Sequence, residues 1–204
     1  KGFAAMSLFF YLLSLFVLSA SATGNDISRW EKQATGVTII RDHFGIPHIY
    51  AKTDAQVVFG LMYAQCEDDF NRVEANYIGA LGRRAEVEGE GLLFHDLRMR
   101  LFMDPEVVRK EYEQSSPWLQ RLMDAFADGI NYYLYKHPEV RPRLLTRFEP
   151  WMALTFTEGS IGTDIEEIPV GLIRKFYGEE QVWEEPGNTS LQAVSDPGGS
   201  NGFA

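Results

Sequence analysis

One cysteine, Cys66, is all that the 204 residues hold. A lone thiol excludes an internal disulfide and any zinc site built from clustered thiolates, and its expected place is a small buried apolar position. Positive charge is scarce as well: 19 Lys and Arg stand against 29 Asp and Glu, for a formal net charge of -10. Such a surface repels phosphate backbones and anionic lipid, which argues against a nucleic-acid partner, and it suits divalent cations. The four histidines, His43, His48, His95 and His137, share no metal-ligand spacing. Internal repeats and coiled-coil heptads are absent, and a 45% hydrophobic content is enough for one domain with a sizeable core.

Charge of either sign is missing altogether from residues 2–25. Their apolar heart "SLFFYLLSLFVLSA" is followed by "SASAT", where Ala20 and Ala22 fit small-residue cleavage positions. The heart falls short of the roughly 20 apolar residues that span a bilayer. Residues 1–22 therefore read as a signal peptide cut after Ala22, with an uncleaved anchor as the alternative. The expected location is periplasmic or extracellular.

A polar link then leads into "GVTIIRDHFGIPHIYAKT", whose alternation of apolar and polar residues predicts two short strands meeting at a turn near Phe44 and Gly45. Pro47 suits a strand start, because it cannot donate to a ladder. Thr53 and Asp54 predict a helix start, and Val57, Val58, Leu61, Met62, Phe70 and Val73 recur at helical spacing toward an end near Gly79 or Gly82. Gly60 inside that run costs about 1 kcal/mol against alanine unless close packing requires it. A second helix opens at "SSPW" and places Leu119, Leu122, Phe126, Ile130 and Leu134 on one face before Pro138. "RFEPW" reads as a loop, "GLIRKFYG" as a short helix stopped by Gly178, and the turn-rich run from Glu184 as an exposed linker leading to Ser200.

Ser200 stands in "GGSNG", a context that by itself means only a flexible turn. Gly198, Ser200 and Gly202 satisfy G-x-S-x-G, but Pro197 and the polar run before it argue against the buried strand that a nucleophile elbow must follow. Phe203 stands where an S-x-x-K motif needs lysine. A third chemistry fits an exposed linker better. The Ser200 hydroxyl attacks the Gly199 carbonyl, the amide becomes an ester, and water cleaves it, leaving Ser200 as a new N-terminus. Its α-amino group, titrating near pH 8, can then accept the hydroxyl proton directly or through a water.

These pieces together resemble the penicillin acylases, N-terminal-nucleophile (Ntn) hydrolases that include acyl-homoserine-lactone acylases. "VTIIRDHFGIPHIYA", with Arg41, Asp42, Gly45, Pro47 and His48, is similar to the opening of their α-chain; "FGLMYAQCEDDF" is similar to the helix after it, where the family usually has alanine in place of Cys66. "FEPW" and "GGSNGFA" resemble the family's proline-tryptophan loop and its junction between spacer and β-chain, and the pieces occur in the family's order over residues 36–204.

The resemblance implies an α+β protein, a four-layer αββα sandwich when complete, of which this fragment is the mainly helical α-chain with a short N-terminal β-hairpin. It implies a signal peptide over 1–22, an α-chain over 23–187, a spacer over 188–199 and the start of the β-chain over 200–204. By position Ser200 is the catalytic nucleophile, Gly199 and Ser200 flank the cleavage junction, and Asn201 sits beside the nucleophile. Oxyanion-hole groups belong to the β-chain beyond residue 204. One structural calcium is implied, with a single carboxylate from Glu158, Asp164, Glu166 or Glu167 among its oxygen ligands; a solvated acidic turn is the alternative for the same residues. Phe156 and Ile161 fall where the family builds part of its acyl pocket, and serve equally as core. The implied protein is an exported, self-processing amidohydrolase of N-acyl compounds of β-lactam or homoserine-lactone type. It needs no organic cofactor and works as an αβ heterodimer. The alternative from another class is a non-catalytic exported helical binding module with a flexible Gly/Ser tail.

Overall fold

In a computed structural model, residues 23–155 and 168–178 are described; residues 1–22, read above as a signal peptide, lie outside them. The first helix, α1 (Gly24–Ala34), occupies what the sequence reads as a polar link. Its start is a capping box: the Thr23 hydroxyl accepts the Asp26 N–H, and the Asp26 carboxylate accepts the Thr23 N–H, both at 3.2 Å. Few residues of α1 are apolar, but Ile27, Trp30 and Ala34 recur on one face and pack in the same cluster. The helix is held because Trp30 is buried against Phe59 and Ala125.

Strands β1 (Val37–Arg41) and β2 (Pro47–Ala51) form the expected antiparallel hairpin, with Ile39 opposite Ile49 and Ile40 opposite His48. Asp42 organises the turn by accepting the N–H groups of Phe44 and Ile46, and Gly45 supplies the positive φ of 83°. The residues that carry the resemblance thus have local structural work. Arg41 reaches Glu67 and Asp68 on the next helix, and Pro47 opens β2 where its missing N–H costs nothing.

Helix α2 (Asp54–Ala80) begins as expected, with Thr53 as N-cap, and ends just before Gly82, whose φ of 59° turns the chain. It is kinked at Asp69, which leaves helical geometry and uses its carboxylate to accept the Arg72 N–H at 3.0 Å, capping the second half anew. Val57 and Leu61 of the predicted apolar series are exposed, while Met62 and Phe70 are buried. Gly60 has the reason that the sequence requires of it. A Cβ there would stand 2.7 Å from Val37 Cγ1 and 2.9 Å from Ile49 Cγ2, so the glycine lets the hairpin lie directly on α2.

Three short helices come next, α3 (Ala85–Glu88), α4 (Leu93–Arg100) and α5 (Pro105–Gln114). Buried Asp96 of α4 accepts the N–H groups of Arg84 and Ala85 and so fixes the start of α3. Helix α6 (Pro117–Lys136) is capped by Ser116 with proline in its first turn, and packs more extensively on α2 than any other pair of elements packs together. Its buried side is broader than the predicted stripe: Ile130 is fully enclosed, Phe126 and Leu134 pack partly buried against the core, and Asp128 and Asn131 are buried beside them. "RFEPW" is a loop only in part, since Pro150–Thr155 forms a 3-10 helix that buries Trp151 and Met152. Helix α7 (Val170–Phe176) is the short helix expected before Gly178. The described residues are mainly helical with one short two-stranded hairpin, as expected for the α-chain part of the fold.

Candidate functional site

Every residue that the sequence nominates for chemistry lies outside the described residues: Gly199, Ser200 and Asn201 at the junction, Phe156 and Ile161 for the pocket, and Glu158, Asp164, Glu166 and Glu167 for a metal. What the structure describes is the frame that holds the ends of the segment 156–167. Among the described residues there is no group of three or more His, Cys, Asp or Glu that could hold a metal ion.

The upstream end of that segment is fastened to the α2–α6 core by two buried polar groups, Glu74 and Asn131. Glu74, 0% exposed, accepts the backbone N–H groups of Arg143, Leu144 and Leu145 at 2.8 to 2.9 Å. Asn131 pairs both ways with the Phe148 backbone, donating to its carbonyl at 2.8 Å and accepting its N–H at 2.9 Å. Trp151 donates to Glu149 at 2.6 Å while the Arg109 guanidinium lies over its ring. Thr155 then closes the 3-10 helix, buried, its hydroxyl donating to the Met152 carbonyl. The downstream end is held by α4 instead: Arg98 donates to the Ile168 carbonyl, and Val170 and Ile173 pack on Phe94.

A further buried polar group, Asp128, joins α1 to α6. The Asp128 carboxylate accepts from Arg29 Nε at 2.9 Å and from Arg29 Nη2, Trp30 Nε1 and Gln33 Nε2 at 2.7 Å each. Hydrogen bonding to Asp128 holds the Arg29 pKa above its usual value. With its acceptor positions filled, Asp128 works as a clamp rather than as a base. It borders an open cavity of about 740 Å³, where Arg29 is paired with Asp128 and Asp26, and Arg147 with Asp26, while Lys32 and Arg121 also line the wall. Burial would raise the Asp26 pKa, but hydrogen bonds from Thr23 and the Arg147 charge carry it below the usual carboxylate value.

Two further titratable groups of the core, Cys66 and Tyr77, are silenced by burial. Cys66 is 1% exposed and its thiol is pushed up to about 12, which suits packing and not nucleophilic attack. Tyr77 is pushed upward in the same way. Sequence reasoning missed Glu74, Asp128 and Asn131, which position the frame. The signal available for two of them was a short polar pair, Asp128 and Asn131, one turn apart beside the apolar stripe of α6.

The family description "Penicillin amidase" matches residues 36–204, and the chain belongs to that family. It is 31% identical over 165 residues to the acyl-homoserine lactone acylase QuiP of Pseudomonas aeruginosa, a match covering 75% of this chain and 20% of the relative. It is 28% identical over 106 residues to the penicillin G acylase of Escherichia coli, covering 52% of this chain and 12% of the relative. The chain thus spans about a fifth, or less, of the length of these curated relatives. Among solved structures, the thermostable penicillin G acylase from Alcaligenes faecalis superposes with a TM-score of 0.54 at 19% identity, covering 82% of this chain and 98% of that one. The described fold is therefore that of a penicillin acylase chain.

Proposed function

We propose that this chain is the N-terminal part of an exported, self-processing amidohydrolase that acts on linear N-acyl amides of the β-lactam or homoserine-lactone type. The observation that carries this reading is the reach of the family match, which runs through "GGSNGFA" and includes Ser200. A contrast in lengths supports the division into two chains. The QuiP relative is matched over only 20% of its length, whereas the solved acylase chain is matched over 98%.

In this reading Ser200 attacks the Gly199 carbonyl, water cleaves the ester, and the new α-amino group takes the Ser200 proton when the hydroxyl attacks a substrate amide. The amine leaves, and water releases the acid from the acyl enzyme. Residues 23–187 form the α-chain, 188–199 a spacer that is lost, and 200 onward the β-chain, which supplies the oxyanion hole. Phe156 and Ile161 line the acyl pocket. One of Glu158, Asp164, Glu166 and Glu167 gives a carboxylate to a structural calcium ion, whose other oxygens come from elsewhere. Removal of residues 1–22 accompanies export to the periplasm or the exterior.

The test is N-terminal sequencing and mass spectrometry of the protein expressed from the intact gene. A subunit beginning Ser-Asn-Gly-Phe is expected, and Ser200→Ala should leave the precursor uncut and inactive toward N-acyl amides. An active protein that contains no such subunit overturns the reading.

A further inference from the structure

We propose that the cavity bordered by α1, α6 and the start of α2 binds a small organic anion, a carboxylate on an apolar body, through Lys32 and Arg121. Its volume of about 740 Å³ is well above what a simple ion fills. It falls within the roughly 300–1,000 Å³ usual for small-molecule sites. Helix α1 contributes Asp26, Arg29, Lys32 and Gln33 to the wall, and that helix ends before residue 36, where the family match begins. The cavity is thus completed by an element that stands ahead of the region matched to the family.

The polar groups of the wall differ in what they have left to offer. Each of its carboxylates already holds a donor. Asp26 accepts from Thr23 and Arg147, and Asp128 from Arg29, Trp30 and Gln33. Asp124 accepts from the Tyr112 hydroxyl and Glu149 from the Trp151 indole, both at 2.6 Å. Of the cations, Arg29 and Arg147 are engaged with these acids. Lys32 and Arg121 have no hydrogen bond from their side chains and no ion pair among the described residues. Unused donors and unopposed positive charge remain on the wall, from two different helices. The ligand that answers them is an acceptor that carries negative charge.

The rest of the wall selects the body of that ligand. Ala55, Ala125, Phe148 and Pro150 line the same cavity, so part of its surface is carbon. A carboxylate on a short hydrocarbon satisfies both parts. Its oxygens meet the Lys32 ammonium and the Arg121 guanidinium, whose planar fork can hold a carboxylate in two parallel bonds, and its chain displaces water from the apolar wall.

The test is isothermal titration calorimetry of the protein expressed from the intact gene, with sodium hexanoate as the probe. Saturable binding with a dissociation constant of about 1 mM or lower is expected. Hexanol, which has the body without the charge, and inorganic phosphate, which has charge without the body, should each bind at least about tenfold more weakly. Lys32→Gln and Arg121→Gln should each weaken hexanoate about fivefold, the size of one exposed ion pair, and the double variant about tenfold or more. Both side chains are exposed, so the variants should keep the wild-type melting temperature and the loss of binding is read on folded protein. Added salt should weaken hexanoate in the wild type and much less in the double variant. Absence of saturable binding by the wild type, or hexanoate binding that the double variant leaves unchanged, overturns the proposal. Tighter binding of phosphate than of hexanoate equally overturns it, because the ligand class is then wrong. None of these outcomes depends on whether the chain cuts itself before Ser200.

Discussion

Trp30 Nε1 lies 2.7 Å from Asp128 Oδ1, so the indole of α1 donates to a carboxylate buried in α6. This bond explains how a mostly polar stretch is held as a helix. The indole body fills apolar space against Phe59, and its one polar atom meets a partner already shared with Arg29 and Gln33.

Asp128→Ala is expected to cost about 3 kcal/mol, because it strands the buried indole N–H and releases Arg29. Trp30→Phe keeps the ring packing and loses one donor, for about 1 kcal/mol. Urea midpoints of the two single variants and the double variant check this, and the double should fall short of the sum because both changes remove the same bond.

Glu74 serves three backbone donors at once. Glu74→Gln keeps one acceptor oxygen and should destabilise by about 2 kcal/mol, with Glu74→Ala worse, since each stranded buried N–H costs about 1–3 kcal/mol. Hydrogen exchange of the 143–145 amides is the direct readout. These should lose protection in both variants while the amides of α1 keep theirs.

Cys66 should resist thiol reagents in the native protein at pH 8 and react fully after unfolding. Its folded pKa is raised from 9.0 to about 12, so below pH 9 both states are protonated and the group has no pH effect. As pH rises from 9 toward 12 the unfolded state loses its proton first, and stability falls. The Tyr112 hydroxyl, partly buried and donating to Asp124, is pushed up to about 12 and adds to the same alkaline decline. Cys66→Ala should flatten part of it, measured as the slope of stability against pH.

Asp26 sets an opposite dependence. Its folded pKa lies below 3.8, so its contribution is present above that value and is lost as pH falls through the folded pKa. Asp26→Asn should therefore lose about 1 kcal/mol at neutral pH, the size of a capping bond, and the gap from wild type should close in acid. Thermal melts at pH 7 and pH 3 test the sign.

Much of the frame was legible in the sequence because its signals are local. Thr53 caps α2, Ser116 and Pro117 start α6, and Gly82 and Gly178 end their helices through positive φ, all choices dictated by neighbours within a few residues. The hairpin was readable from its alternation for the same reason. Helix α1 was read as a polar link although it carries local signals, the Thr23–Asp26 capping box and Ile27, Trp30 and Ala34 on one face; what was out of reach is its anchor Asp128, far along the chain. Nor was the burial of Glu74, whose partners near residue 144 lie about 70 positions away. The kink at Asp69 also escaped, because the apolar period runs through it unbroken, and the exposure of Val57 and Leu61 left no mark on that period either. As for the site, the serine motif could be read from the sequence, while Ser200, Phe156, Ile161 and the acids of 158–167 lie outside the described residues.

Thr155 and Ile168 are fastened to different parts of the molecule, the first to the α2–α6 core through its 3-10 helix and the second to α4 through Arg98. The two posts are thus held independently of the sequence between them, which makes 156–167 a natural unit for exchange. If Phe156 and Ile161 line the acyl pocket as proposed, grafting the corresponding stretch from an acylase of different preference would change what borders the substrate and leave the posts untouched. Selectivity could then be bred into this scaffold without rebuilding it.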